Sequence, residues 1–164
     1  MNLSSAQRAT LRAHILANLD PVVVAAVAIR NDVAIQDWYK VDSSFVVWKT
    51  LLTKDELRAA ALAGASEMDN LEAGKRDALF WMLSDSVNPS DSAVRVAFQD
   101  FTANRNGGFV ATALRTSLTA AGKRPATRVE QVFATGTGTN GTPGFLVVEG
   151  FLDYNTISDI LNAG

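Results

Sequence analysis

The chain has 164 residues, a net charge of −2 and no cysteine. This length suits one domain, with a core large enough to fold without disulfides or metals. The missing cysteine excludes a disulfide framework and thiolate-ligated zinc or iron–sulfur sites. The weak negative charge argues against indiscriminate binding to nucleic acid.

Helix-start signals mark the N-terminal third. Ser4 and Gln7 have the spacing of a capping box, and apolar residues then follow at helical spacing. Asp20 and Pro21 mark a second start, with an acidic cap before a proline at the first helical position. We expect a third helix over residues 33–40.

A strand and several helices are predicted in the middle of the chain. Residues 44–50 are rich in aromatic and β-branched side chains, which predicts a strand. Thr53 and Glu56 form a second capping box, opening a helix that ends near Gly64. Two further starts are predicted at polar pairs: Asp69 with Glu72, and Asn88 with Pro89.

The C-terminal third begins with a predicted loop at residues 106–108. Gly122 is placed to end the helix that follows this loop. Thr127 and Glu130 repeat the capping-box pattern and predict a short helix. A terminal helix is expected over residues 156–162.

The most flexible segment by composition is residues 135–144, with four glycines in ten residues and no large apolar side chain. We expect an arm that is disordered in a free monomer, because only an interface offsets the entropy of ordering it. Residues 145–148 predict a second strand. We expect it to pair with residues 45–48, because an isolated strand cannot satisfy its backbone.

These elements predict a mainly α fold. It comprises a helical bundle core, a small two-stranded β element and the flexible Gly/Thr-rich arm. The predicted domains are a helical core over residues 1–134, which includes the strand at 44–50, and a second part over residues 135–164. In the second part, the arm, strand and C-terminal helix pack back on the core or on a neighbour.

The residues offer no complete catalytic or metal-binding set. His14 is the only histidine, so it cannot complete a transition-metal site without other ligands or serve several serines in a triad. Residues 136–144 resemble a phosphate-binding loop in glycine content but lack its lysine. We therefore expect no enzyme activity, cofactor or metal. Three tryptophans could line a ligand pocket but are more typical of core anchors: Trp38, Trp48 and Trp81. We predict that Trp48 and Trp81 are core or interface anchors.

Charge reverses in the last third of the chain. From Arg95 to Arg128 there are six basic residues and one acid, whereas residues 129–164 hold four acids and no base. Such segments can pair within a chain or between copies, where complementarity sets register. Our candidate subunit-interface residues are Lys123, Arg124, Arg128, Glu149, Asp153 and Asp159.

Five short segments occur in an order that resembles small proteins encoded among the head and neck genes of tailed bacteriophages. They are residues 46–50, 75–78, 88–90, 123–130 and 145–150. The resemblance is to head–tail connector (adaptor or neck) proteins. It implies a helical subunit that forms a homo-oligomeric ring beneath the portal and extends arms to neighbours. Its partners would be the portal protein and tail or other neck proteins, and its location the virion, after assembly in the host cytoplasm.

Other roles fit parts of this pattern. A tail-terminator, tail-completion or capsid-decorating protein is an alternative within the virion, and a non-viral helical binding module is an alternative outside it. The N-terminal residues form no apolar signal core, and the longest apolar run, residues 21–29, is too short to span a bilayer. We expect neither membrane contact nor sequence-specific nucleic-acid binding.

Overall fold

The computed structural model describes residues 1–105 and 108–163, so Asn106 and Gly107 of the predicted loop lie outside the described residues. Across the described part, the chain is mainly α with one small antiparallel sheet of two strands, which confirms the predicted fold class. The helices are α1 (Ser5–Leu16), α2 (Pro21–Ala28), α3 (Asp32–Lys40), α4 (Lys54–Leu62), α5 (Ala65–Met68), α6 (Ala73–Met82), α7 (Ser92–Asp100), α8 (Thr112–Ala121), α9 (Arg128–Phe133) and α10 (Tyr154–Asn162). The strands are β1 (Asp42–Trp48) and β2 (Lys123–Thr127).

Side-chain caps fix where most of these helices begin. The three predicted capping boxes form in both directions: Ser4 with Gln7, Thr53 with Glu56, and Thr127 with Glu130. Asp20 caps α2 and accepts a hydrogen bond from the Val22 backbone N–H at 2.9 Å. Each cap satisfies a backbone donor that the first helical turn leaves without a partner.

Two predicted helix starts were misplaced. Helix α7 begins at Ser92 rather than at Pro89, because Asp91 is its cap and accepts from the Ala93 N–H at 2.8 Å. Helix α6 begins after Glu72, which makes no side-chain capping bond. Its carboxylate instead accepts a hydrogen bond from the backbone N–H of Arg105 at 3.0 Å.

The chain divides into two units. Unit 1 comprises Met1–Val47 and Pro125–Gly164, and unit 2 comprises Trp48–Arg124. In unit 1, α3 packs against α2, α9 and α10, and α1 packs against the same three helices. Its core contains Leu11, Ile15, Val23, Ile35, Tyr39, Val129, Leu152, Ile157 and Ile160, among others.

Unit 2 is organised around α8, which packs against α4, α5 and α7. Its core contains Leu52, Leu57, Leu79, Met82, Phe98, Leu114 and Leu118, among others. Gly64 lies against the backbone of Leu114, where a Cβ would overlap the main chain. A side chain at residue 64 would therefore push the start of α5 away from α8.

The structure divides the chain at a different place from the predicted boundary after residue 134. The C-terminal segment belongs to unit 1, because α10 packs on α1 and α3 and buries Ile157 and Ile160. Glu130 is also buried, and its carboxylate accepts a hydrogen bond from the Gly150 N–H at 3.1 Å.

The predicted strand pairing was wrong. Strand β1 pairs with β2, while residues 145–148 contribute only an isolated bridge between Phe145 and Thr135. Two cations and Pro125 concealed β2 in the sequence, because proline is depleted in strands. Pro125 is exposed, as expected for a proline in a short edge strand.

Residues 135–144 form a loop closed on itself and on β1, rather than an extended arm. Its ends meet where Thr135 and Phe145 exchange two backbone hydrogen bonds of 2.9 Å. Within it, the Thr139 hydroxyl contacts the Thr142 hydroxyl at 2.8 Å and accepts from the Thr142 N–H at 3.0 Å. Composition indicated the low apolar content correctly, but it did not reveal these threonine contacts.

The loop also continues the hydrogen bonding of β1. The Val46 N–H donates to the Gly138 carbonyl at 2.7 Å, and the Gly144 N–H donates to the Val46 carbonyl at 2.8 Å. Gly136 and Gly138 have positive φ, a region that favours glycine. The glycines of this segment therefore shape a turn that packs against the strand.

Candidate functional site

Arg128 is the candidate interface residue with the most defined surroundings. Its guanidinium carbon lies 4.1 Å from the ring centroid of Trp38, and one of its nitrogens donates to the Trp38 carbonyl at 3.3 Å. Asp20 is near: the Val22 N–H, the Trp38 side chain and the charge of Arg128 lower the pKa of its carboxyl. Arg128 is thus held in a fixed orientation by an aromatic ring.

The other two basic candidates, Lys123 and Arg124, are half-buried in β2. The Lys123 ammonium lies 5.3 Å from the ring centroid of Trp48, and the guanidinium of Arg95 lies 5.2 Å from the same centroid. Two cations therefore share one indole ring, a favourable arrangement for a ring that is otherwise buried.

The three acidic candidates are all exposed. Asp153 caps α10 and accepts from the Thr156 N–H and hydroxyl, both at 2.8 Å, which lowers the pKa of its carboxyl. Asp159 lies 3.8 Å from Arg8. The contact between copies that the charge reversal suggested remains a prediction.

Helix α2 presents an unusual apolar surface. All eight of its residues are apolar, yet it buries only Val23 and Ala26. Helices that are apolar on every side are normally enclosed by protein or lipid. The exposed side chains on and beside α2, here called the α2 face, are Leu19, Val22, Val24 and Ile29, of which Leu19 is 90% and Ile29 74% exposed.

No single helix in the described ranges is long and apolar enough to cross a membrane. Helices α1 and α2 together reach the required length and composition, but they are bent by 106°.

Unit 2 has an apolar groove of about 380 Å³. We call it the unit 2 groove; its lining residues are Ala61, Leu62, Ala65, Met68, Phe80 and Leu83, with Arg58. Leu62 is 75% exposed, and Phe80 is also exposed. Arg58, the single charged residue of the lining, donates through its Nε to the Leu83 carbonyl at 3.1 Å. The groove therefore offers an almost wholly apolar surface.

Unit 1 contains a larger and more polar opening, of about 550 Å³. We call it the unit 1 cleft, and its polar and aromatic lining residues are His14, Trp38, Asp42, Ser43, Ser44, Arg128 and Gln131. These residues come from α1, from α3, from the start of β1 and from α9. This site was not predicted, because its parts are far apart in the chain and share no motif.

His14 connects the cleft to a buried tyrosine. Its Nδ1 lies 2.6 Å from the hydroxyl of Tyr39, which is fully buried. Burial raises the pKa of Tyr39 to about 12, and burial lowers the pKa of His14. The pair is therefore a protonated phenol beside a neutral imidazole at neutral pH.

The three tryptophans differ in their burial. Trp48 is 9% exposed, as expected for a core anchor, and Trp38 is half-buried beside Arg128. Trp81 is 78% exposed, so it is not a core anchor, and an interface role for it stays a prediction. Its neighbours Leu79 and Met82 are buried in unit 2 and direct α6 so that residue 81 faces outward.

Within residues 1–105 and 108–163, no group of three or more His, Cys, Asp or Glu side chains is placed to hold a metal ion. No protein-family model, curated protein or solved structure matches this chain.

Proposed function

We propose that this chain is a structural subunit of a tailed-bacteriophage neck. In this role it is a head–tail adaptor that joins further copies in a ring between portal and tail. The ordered resemblance over residues 46–150 supports the phage context. The exposure of α2 is the structural observation that supports assembly, because helices that are apolar on every side are normally covered by protein or lipid.

The α2 face and the unit 2 groove are both apolar. One is a short helix with exposed aliphatic side chains, and the other is a groove lined by Leu62, Met68 and Phe80. Packing an apolar helix into an apolar groove is a common mode of recognition between proteins. We assign the unit 2 groove to the α2 face of a second copy.

A contact of this kind joins two different surfaces, so a pair of copies keeps one free α2 face and one free groove for further copies. Repetition of the contact gives a ring when the rotation closes and a filament when it does not. The weak charge of both surfaces agrees with an aliphatic contact, since Arg58 is the single charged residue lining the groove. Neck adaptors are expected to form the closed arrangement.

The test uses three exposed residues, each replaced by glutamate. Val24→Glu alters the α2 face, Leu62→Glu alters the groove, and Val96→Glu, on α7, is the control at an exposed helical valine. Sedimentation velocity and negative-stain microscopy should show rings for the unmodified chain and for Val96→Glu. The other two variants should stay folded and monomeric.

Mixing the two monomeric variants distinguishes the assigned contact from other possible contacts between copies. Val24→Glu retains an intact groove and Leu62→Glu retains an intact α2 face, so an equimolar mixture should give heterodimers of one intact contact. A monomeric unmodified chain, or assembly of Leu62→Glu into rings, would contradict the assigned contact. Absence of the chain from the necks of purified phage particles would contradict the adaptor role.

A further inference from the structure

The unit 1 cleft holds several polar groups that the proposed assembly does not use. Arg128 has five N–H donors, and a single hydrogen bond, the 3.3 Å contact to the Trp38 carbonyl, occupies them among the described residues. No carboxylate of the described chain lies within ion-pair distance of it. The ring of Trp38 supports one face of the guanidinium, so its edge remains available to a ligand.

The contact with Tyr39 bears on which ring nitrogen of His14 can donate to a ligand. The Tyr39 phenol is protonated at neutral pH and lies 2.6 Å from Nδ1 of His14, so it can donate its proton to that nitrogen. A neutral imidazole that accepts at Nδ1 carries its own proton on Nε2. Nε2 has no partner among the described residues, so it is a free donor.

The remaining groups around the cleft complete a polar lining. The Ser44 hydroxyl and the Gln131 amide line it without a hydrogen bond in the described part of the chain, and so does the Asp42 carboxylate. Val132 and the Trp38 ring add apolar wall. Convergent polar groups on a partly apolar cleft are typical of a ligand site.

We propose that the unit 1 cleft binds a carboxylate group, held by the guanidinium of Arg128 and the Nε2–H of His14. The planar fork of arginine matches the two oxygens of a carboxylate. Asp42 is an acceptor in the same lining, so the cleft favours a carboxylate that carries a neighbouring N–H donor. The group comes either from a free amino acid-like molecule or from an acidic side chain of a second copy.

The experiment follows the side-chain resonances of Arg128 and His14 by NMR in 15N-labelled protein. The unliganded protein should show the Nε2–H tautomer of His14 at neutral pH. Titration with acetate should shift both side chains saturably, and glycine should bind more tightly than acetate. Sodium chloride at equal ionic strength should give no saturable shift.

Two substitutions test which side chains of the cleft recognise the ligand. Arg128→Lys keeps the charge but loses the fork, and the loss of one charged hydrogen bond should weaken acetate binding about tenfold. Asp42→Asn should lose the preference for glycine over acetate, because the acceptor for the ammonium group loses its charge. Circular dichroism and tryptophan fluorescence confirm that each variant is folded.

Assembly distinguishes the two sources of the carboxylate. If a second copy supplies it, the Arg128 and His14 resonances shift as the protein assembles, and acetate competes with that shift. If it is a free molecule, these resonances respond to glycine and acetate but not to protein concentration. The proposal is overturned if the resonances of the folded chain respond to neither, or if Arg128→Lys binds acetate unchanged.

Discussion

The aromatic ring of Phe45 fills the space that a side chain at Gly138 would need. A Cβ built at residue 138 would overlap this ring, and the φ of Gly138 is +66°. Gly144 meets the same ring, and a Cβ there would also approach the carbonyl of Thr135. The Gly/Thr loop therefore packs against β1 because its glycines leave room for one phenylalanine.

Replacing Gly138 with alanine should destabilise the chain. The left-handed backbone and the overlap with Phe45 together should cost about 1–3 kcal/mol. Gly141→Ala is the matched control in the same loop, since its nearest neighbour would be a hydroxyl 4.0 Å from the new Cβ. Chemical denaturation should show Gly141→Ala within about 0.5 kcal/mol of the unmodified chain. Equal stability of both variants would show that the loop does not pack on Phe45.

Local signals predicted helices well, because the side chains that cap a helix lie within a few residues of its start. Ser4, Thr53 and Thr127 each form the expected box. Such local signals do not predict which strands pair when the strands are far apart in the sequence. The partner of β1 is about 80 residues away and contains Pro125, and its identity depends on tertiary packing.

For the candidate sites, too, local features could be predicted from the sequence and long-range contacts could not. Charge counting along the chain found Arg128, but it could not show that Trp38 would stack beneath it or that His14 would line the same cleft. The apolar composition of α2 was visible in the sequence, whereas its exposure was not. Trp81 shows why burial is hard to predict from sequence. It lies next to the apolar stripe of its helix, and a residue in that position can be either buried or exposed.

The two tryptophans of unit 2 should respond oppositely to truncation. Trp48→Ala should lower the free energy of unfolding by about 3–5 kcal/mol, because this side chain is buried and lies beside two cations. Trp81→Ala should change it by less than about 0.5 kcal/mol, since the side chain is exposed. Urea unfolding at low protein concentration measures both in the monomer. A large loss for Trp81→Ala would place that ring in a contact that the structure lacks.

Acid should weaken the start of α4. The Lys49 ammonium, 2.8 Å from the Glu56 carboxylate, and the Thr53 N–H and hydroxyl lower the pKa of Glu56 to about 2, from 4.5. This contribution to stability is complete above pH 4.5 and is lost as the pH falls towards 2. Because the Glu56 side chain is 45% exposed, solvent screening keeps the contribution to about 0.5–1 kcal/mol.

Thermal unfolding from pH 2 to pH 7 checks this expectation. Glu56→Gln should be less stable than the unmodified chain at pH 7, and the difference should disappear near pH 2. Asp55→Asn is the control, because Asp55 is adjacent and forms no salt bridge in the described part of the chain. If the difference in stability between Glu56→Gln and the unmodified chain stays constant across this pH range, the loss of the carboxylate charge is not the cause of that difference.

The charge reversal leads to the last prediction, that Arg124 of one copy contacts an acid of the next. Asp153 is unsuitable for a charge swap because it caps α10, and Asp159 is unsuitable because Arg8 lies beside it. Glu149 is exposed, and its replacement leaves both the cap of α10 and the contact of Asp159 with Arg8 intact, so it is the residue chosen for the swap. Arg124→Glu should impair assembly while the monomer stays folded, and Glu149→Arg in the same chain should partly restore it.

The control changes the same amount of charge elsewhere. Lys54 is exposed at the start of α4, where the helix dipole favours a negative charge. The variant Lys54→Glu should therefore fold and assemble normally. Exposed pairs contribute only about 0–1 kcal/mol each, so the expected effect is on the orientation and register of copies more than on the strength of one contact. Mass photometry across a salt series measures it. If Arg124→Glu assembles as Lys54→Glu does, Arg124 does not lie in the interface. If Arg124→Glu unfolds the monomer, the charge of Arg124 serves contacts within the chain.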